Sequence, residues 1–155
     1  MVLRPPNYNE LPMLSALCLR SKAVWAYSDG MLDAFRQELT LTDADLAEDA
    51  IMLAEDRRGI AGVVHISQDG SECHLEKLFI DPARFGEGTG HMLYVWATRT
   101  AQKTGAYEMI IDSDPNAAPF YVRMGAVADG KAESRSIPGR FLLRLVHRLQ
   151  DRPRI

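Results

Sequence analysis

Apolar residues along this chain repeat with two periods, near 3.6 and near 2, and the switches between them divide it into elements. Leu11, Leu14, Leu17 and Cys18 fall at helical spacing behind Pro5-Pro6, a pair that ends a short strand over Val2–Arg4. Met31, Leu32, Phe35 and Leu39 repeat that spacing after Ser28 or Asp29, either of which can cap the first free amides of a second helix. Strands are expected over residues 50–55, 60–67 and 73–80, separated by the polar turns Asp56-Arg57-Arg58-Gly59 and Gln68-Asp69-Gly70. The glycine-rich stretch 86–90 then opens a helix to about Lys103 with Met92, Leu93, Trp96, Ala97 and Ala101 inward, and residues 107–112 form another strand. A strand, a helix and a strand in that order make a parallel crossover. Ser113 or Asp114 can cap a further helix with Pro115 in its first turn, ended by Gly125. Strands over 126–130 and 141–149 complete an α/β domain with a mixed sheet.

Composition and charge narrow the class. The 155 residues are 46% apolar and 25% charged, the balance of a folded globular chain, and their number suits one domain over residues 1–155. No apolar run nears the roughly 20 residues that span a bilayer, and the opening MVLRPPNYNE has no apolar core for export, so a cytoplasmic protein with no membrane partner is expected. Cys18 and Cys73 are too few for a disulfide framework or a zinc site; free thiols and no metal are expected. Net charge is −3, but from Arg140 onward five Arg face Asp151 alone, leaving 13 basic against 20 acidic residues over 1–139. An acidic body argues against nucleic acid as a partner, and the basic end reads as a solvated tail.

The segment LFIDPARFGEGTGHML carries Gly86, Gly88 and Gly90 at alternate positions between a strand and a helix. Such a loop gathers backbone N–H groups at a helix N-terminus, where the positive end of the dipole favours an anion such as a pyrophosphate. A mononucleotide P-loop would need a lysine after its last glycine, where His91 and Met92 stand. A dinucleotide fold would place G-x-G-x-x-G after its first strand, whereas this G-x-G-x-G follows several strands.

Two segments resemble the GCN5-related N-acetyltransferases, the GNAT superfamily. LEKLFIDPARFGEGTGHML is similar to the family's fourth strand and its R/Q-x-x-G-x-G/A pyrophosphate loop, and IIDSDPNAAPFYVRMGA to its fifth strand and D-x-N-A-x-x-F-Y-x-x-x-G-F segment. The resemblance implies an α/β (α+β) fold with a mixed, mainly antiparallel sheet of about six to seven strands flanked by about four helices. It also implies acetyl-CoA as cofactor, no metal, and direct acetyl transfer to a primary amine of a small molecule. The backbone of Leu78, Phe79 and Ile80 would pair with the pantetheine arm, and the loop from Phe85 through Gly86, Glu87, Gly88, Thr89, Gly90 and His91 would hold the pyrophosphate. Asn116 would contact the arm with Phe120 beside it, and Tyr121 matches the tyrosine that protonates the departing thiolate. Phe85 replaces the family's Arg or Gln, with Arg84 displaced by one residue, and Gly125-Ala126 replaces its terminal G-F. A homodimer is a family-level expectation. A non-catalytic acyl-CoA-binding or sensing module, and acetylation of a protein lysine or N-terminus, are the alternatives.

Amine acylation sets requirements of its own. An alkyl ammonium with a pKa near 10.4 must lose a proton before it attacks a thioester, so a base is needed. In the 73–80 strand a period of two places His74, Glu76, Leu78 and Ile80 on one face and Leu75, Lys77 and Phe79 on the other. Glu76 is preferred as base over His74 because a carboxylate also attracts the ammonium, and Asp112 is the third candidate. Trp25 and Tyr27 are candidate walls of the acceptor site; Arg135 and Arg140 could line its opposite side, where an acceptor carboxylate would suit them. The run Asp43, Asp45, Glu48, Asp49, Glu55 and Asp56 is either a solvated face or a rim that attracts a cationic acceptor.

Overall fold

The computed structural model describes residues 1–152; residues 153–155, the end of the basic tail, lie outside the described residues. Seven strands form one sheet: β1 (Val2–Arg4), β2 (Ala50–Asp56), β3 (Gly59–Asp69), β4 (Glu72–Ile80), β5 (Glu108–Ser113), β6 (Val127–Glu133) and β7 (Phe141–Arg148). Their spatial order is β1-β2-β3-β4-β5-β7-β6, and every pairing is antiparallel except β4 with β5. Five helices accompany them: α1 (Leu11–Ala23), α2 (Asp29–Leu39), α3 (Asp43–Glu48), α4 (Thr89–Lys103) and α5 (Ala118–Arg123).

Local signals account for most boundaries. Ser28 Oγ accepts the Met31 N–H at 3.2 Å and so starts α2. The additional helix, α3, is held by a Thr42–Asp45 capping box and buries none of its residues, so it has no apolar period to betray it. Asp114 Oδ1 accepts the Asn116 N–H at 2.8 Å and makes a turn, so that α5 begins only at Ala118. In α4 the inward set includes Tyr94, which is buried, whereas Met92 points to solvent.

Both faces of the sheet are covered. On one, Leu93, Tyr94 and Ala97 of α4 and Tyr121 of α5 pack on Val64, Ile66, Met109 and Ile111. On the other, Leu14, Leu17 and Cys18 of α1 and Phe35 and Leu39 of α2 pack on Ile51, Leu53 and Val63. Alternate residues of β2 and β3 therefore serve opposite cores.

Strand β4 departs from that alternation. Its register with β3 passes from His65↔Lys77 to Ile66↔Leu75, leaving Glu76 as an extra, bulged residue. Leu75 thereby shares the α4 face with Leu78 and Ile80, while Phe79 belongs to the α1–α2 face. The strict two-residue period expected for residues 73–80 fails at this bulge. Beside it, β4 and β5 pair only over Glu72–His74 with Glu108–Ile110. Further on, β4 stays with β3 to Ile80 and β5 stays with β7 to Ser113, so the sheet splits along its middle.

Candidate active site

A cavity of about 110 Å³ opens where β4 and β5 part. From Leu75 to Ile80 this edge of β4 has no strand partner, so the backbone groups that point into the split are free to pair with an extended ligand. Leu78 and Phe79 line the cavity, and Ile80 packs between Gly62 and Gly90 just beyond it. These residues fit the arm-binding role that the resemblance assigns them.

Beyond β4 the chain makes a one-turn 3-10 helix and enters the glycine loop. Gly86 at φ +81° and Gly88 at φ +86° adopt the left-handed conformation, which side chains disfavour, and Gly88 forms the N-cap of α4. No side chain caps this helix, so the amides of its first turn are available to an anion. Thr89 is buried with its Oγ1 unpaired, while Phe85 and His91 are exposed. A carboxylate in such a loop would repel a phosphate, but Glu87 is neutralised: Arg58 pairs with it, and Arg84 Nε donates to it at 3.0 Å. Those bonds, Arg58's first, hold the Glu87 carboxyl below its usual range. Arg84 turns inward, buried, and also pairs with Asp56. The displaced arginine thus ties the loop to the β2–β3 turn instead of reaching outward.

On the opposite wall Tyr121 is buried against Phe120, with ring centroids 5.3 Å apart, and Tyr94, 6.0 Å apart. Phe120 lies on Gly90, where an added Cβ would be 3.5 Å from its ring. Burial raises the Tyr121 phenol above its ordinary value, and its hydroxyl makes no hydrogen bond among the described residues. It therefore keeps a proton at the cavity wall. Of the three candidate bases, Glu76 lines the same cavity, half-buried; Ser67 Oγ donates to it at 2.7 Å and Arg135 lies 3.7 Å away. His74 does not line it, and stands where β4 and β5 are still paired, 3.6 Å from Glu72. Asp112 reaches the wall but is gripped by Arg144 at 2.8 and 3.1 Å. Both cysteines are buried and free, and burial pushes each thiol up to about 12, which disqualifies them as nucleophiles.

The far side of the cavity centres on a residue first read only as a helix cap. Asp114 Oδ2 accepts from Lys22 Nζ at 2.7 Å, from Arg140 Nη2 at 3.3 Å and from the Tyr27 hydroxyl. Burial pushes its carboxyl up, but the bonds from Lys22 and Tyr27 outweigh this and bring it down to about 2. Burial and the bond to Asp114 lift Tyr27 to about 12. Asn116, exposed, points its amide at Tyr27 Oη from 3.4 Å, and Trp25, also exposed, lines the cavity mouth. Lys22 and Lys77 escaped the sequence reading, since a single lysine in a helix or strand carries no pattern. The acidic run plays no part here. Asp45 serves the capping box, Asp49 holds His65 Nε2 at 2.8 Å, Glu55 pairs with Arg4 and Asp56 with Arg84, and none lines the cavity. Against the expectation of no metal, Asp45, Asp49 and His65 bring potential ligand atoms within 4.8 Å of one another, though internal hydrogen bonds already engage all three.

A family model described as the acetyltransferase (GNAT) domain matches residues 19–136. The chain belongs to this acetyltransferase family. A curated relative, the glucosamine 6-phosphate N-acetyltransferase of Trypanosoma brucei brucei, is 33% identical over 52 residues. That match covers 34% of this chain and 35% of the relative, about a third of each. Among solved structures, a GCN5-related N-acetyltransferase from Rhodopseudomonas palustris superposes with TM-score 0.81 at 22% identity, over 96% of this chain and 95% of that one. The PaiA N-acetyltransferase of Thermoplasma acidophilum, solved with coenzyme A, gives 0.78 at 14% identity over 95% and 98%. At such identities the likeness is one of fold. Among the described residues no helix is long and apolar enough to cross a membrane.

Proposed function

We propose that this chain is an acetyl-CoA-dependent N-acetyltransferase whose acceptor is a primary amine of a small molecule. The observation that carries the reading is that one cavity, opened by the divergence of β4 and β5, is lined at once by Glu76 and Tyr121. When bound, acetyl-CoA supplies the acetyl group as an activated thioester. The first-turn amides of α4 and the left-handed Gly86 and Gly88 hold the pyrophosphate, and the free edge of β4 over Leu78–Ile80 orients the arm along the cavity. A Glu76 carboxylate oxygen takes a proton from the acceptor ammonium, the freed amine forms the C–N bond at the thioester carbonyl, the C–S bond breaks as Tyr121 Oη gives its proton to sulfur, and the nitrogen's second proton returns to the Tyr121 phenolate. Both cysteines are buried, which supports direct transfer over an acetyl-cysteine intermediate.

A small acceptor suits a cavity of about 110 Å³ closed over by α1 and α2 residues better than a protein side chain on its backbone does. The sugar phosphate named in the Trypanosoma relative makes amino sugars sensible members of the first panel. The test is thermal melting with acetyl-CoA and with coenzyme A, then thiol release across a panel of amines. Both cofactors should raise Tm, and at least one amine should release thiol. No shift near 1 mM cofactor, a concentration well above ordinary affinities, would remove the reading.

A further inference from the structure

We infer that the acceptor carries an anionic group, a carboxylate or a phosphate, besides its amine, and that Lys22, Lys77 and Arg140 hold that group. The inference rests on the acetyltransferase reading and concerns the far wall of the same cavity, which all three side chains line. Lys22 and Arg140 are 11% and 17% exposed, and Lys77 is 9% exposed. One carboxylate is buried among them, Asp114, and both of its oxygens are already engaged by Lys22, Arg140, Tyr27 and the Asn116 amide. Lys22 and Arg140 share that carboxylate, whereas Lys77 has no ion-pair partner among the described residues. Three further carboxylates line the cavity, and of these Asp112 is paired with Arg144 whereas Glu38 and Glu76 keep their charge. Glu38 is exposed and bonds Ser136 at 2.6 Å, Glu76 bonds Ser67, and Asp112 is held by Arg144.

The cations are also held in place with hydrogen-bonding capacity to spare. Lys22 Nζ lies 4.7 Å and the Arg140 guanidinium 5.0 Å from the Phe35 ring centre, and both lie about as close to Tyr27, at 5.5 and 5.4 Å. Aromatic faces orient a cation without using its N–H groups. Arg140 uses only Nη2 within the protein, Lys22 makes one bond, and Lys77 makes none among the described residues. Burying an unpaired charge is costly, and cationic groups that line one cavity with free donors are an arrangement that a carboxylate or phosphate completes.

The test pairs each anionic amine with its neutral counterpart: β-alanine with β-alaninamide, and phosphoethanolamine with ethanolamine. Wild-type kcat/KM should favour the anionic member of at least one pair by on the order of tenfold or more, and which pair responds separates carboxylate from phosphate. Arg140→Gln and Lys77→Met should bring that ratio toward one; Lys77→Met leaves the Asp114 network intact, so it serves even if the arginine variant folds poorly. Neutral amines accepted as well as, or better than, anionic ones would overturn the inference while leaving acetyl transfer standing. If no amine releases thiol although acetyl-CoA still raises Tm, transfer fails, and the anion site is judged separately with coenzyme A saturating the glycine loop. Inorganic phosphate should then raise wild-type Tm more than chloride at equal ionic strength, an increment lost in Lys77→Met; no increment overturns the site.

Discussion

Replacing Tyr121 by Phe removes one oxygen from the cavity wall and nothing else. The ring keeps its contacts with Phe120 and Tyr94, and because the hydroxyl has no protein partner among the described residues, no donor or acceptor is orphaned. Stability should change by less than about 0.5 kcal/mol, or about 2 °C in Tm for a chain of this size. Catalysis should respond far more. Burial holds the phenol above its usual value near 10, whereas a thiol titrates near 8.5, so complete proton transfer to sulfur is uphill by more than about 1.5 pK units, or about 2 kcal/mol. Tyr121 then works near the weak end of the roughly 10²–10⁴-fold range of a positioned acid, and kcat should fall about 100-fold, equivalent to about 2.7 kcal/mol. The assay is thiol release at saturating acetyl-CoA, with acetyl-CoA affinity and Tm measured on the same preparations. An unchanged kcat, or a fall that tracks a collapse in Tm, would remove the acid role from Tyr121.

Other expectations follow from packing and charge. In Gly62→Ala the new Cβ would lie 2.6 Å from Ile80 Cδ1 and 3.0 Å from the Phe79 carbonyl, which cannot swing aside; a loss of about 1–3 kcal/mol is expected in denaturant melts, with weakened cofactor binding. Arg84→Gln frees Asp56 and leaves Glu87 to Arg58 alone, so the Kd for coenzyme A should rise roughly tenfold in calorimetric titration; an unchanged Kd would show that the loop does not depend on that tie. Acid melts should show the Asp114 network. A carboxyl lowered from near 3.8 to about 2 stabilises the fold above its unfolded pKa, and that contribution, about 1 kcal/mol after solvent screening, is lost as pH falls through about 2 and should be missing in Asp114→Asn. His147, lowered by burial and bonded to Tyr94 at 2.7 Å, also favours the fold only while neutral, so stability should begin to fall below its ordinary value near 6.5 and do so less in His147→Gln.

How legible the site was depends on the kind of signal each part leaves in the chain. The glycine loop and the D-P-N-A-A-P-F-Y segment are contiguous, and left-handed turns and helix starts demand particular residues at particular spacings, so both could be read directly. Glu76 was named for its charge. The split between β4 and β5 places Glu76 beside the cavity and His74 inside the paired region, a difference that no local period encodes. Arg84, seen in the sequence only as displaced by one residue, is an inward tie between two loops. The acidic run looked like a possible guide for cationic acceptors, yet none of its members lines the cavity, and Asp45, Asp49, Glu55 and Asp56 serve a cap and ion pairs instead.

By itself, the order of apolar periods and turn residues determined most of the helix-and-strand plan and the glycine loop, because these depend on interactions within a few residues of chain; α3, which buries none of its residues, is the exception. Only the tertiary structure brought together the cationic wall of the cavity. Lys22, Lys77, Asp114 and Arg140 come from α1, β4, the end of β5 and the turn before β7, and their charges acquire meaning from mutual burial. The bulge at Glu76 belongs to the same category: it arises from the register of β4 against β3, and it reverses which side chains face which core with no trace in the local sequence.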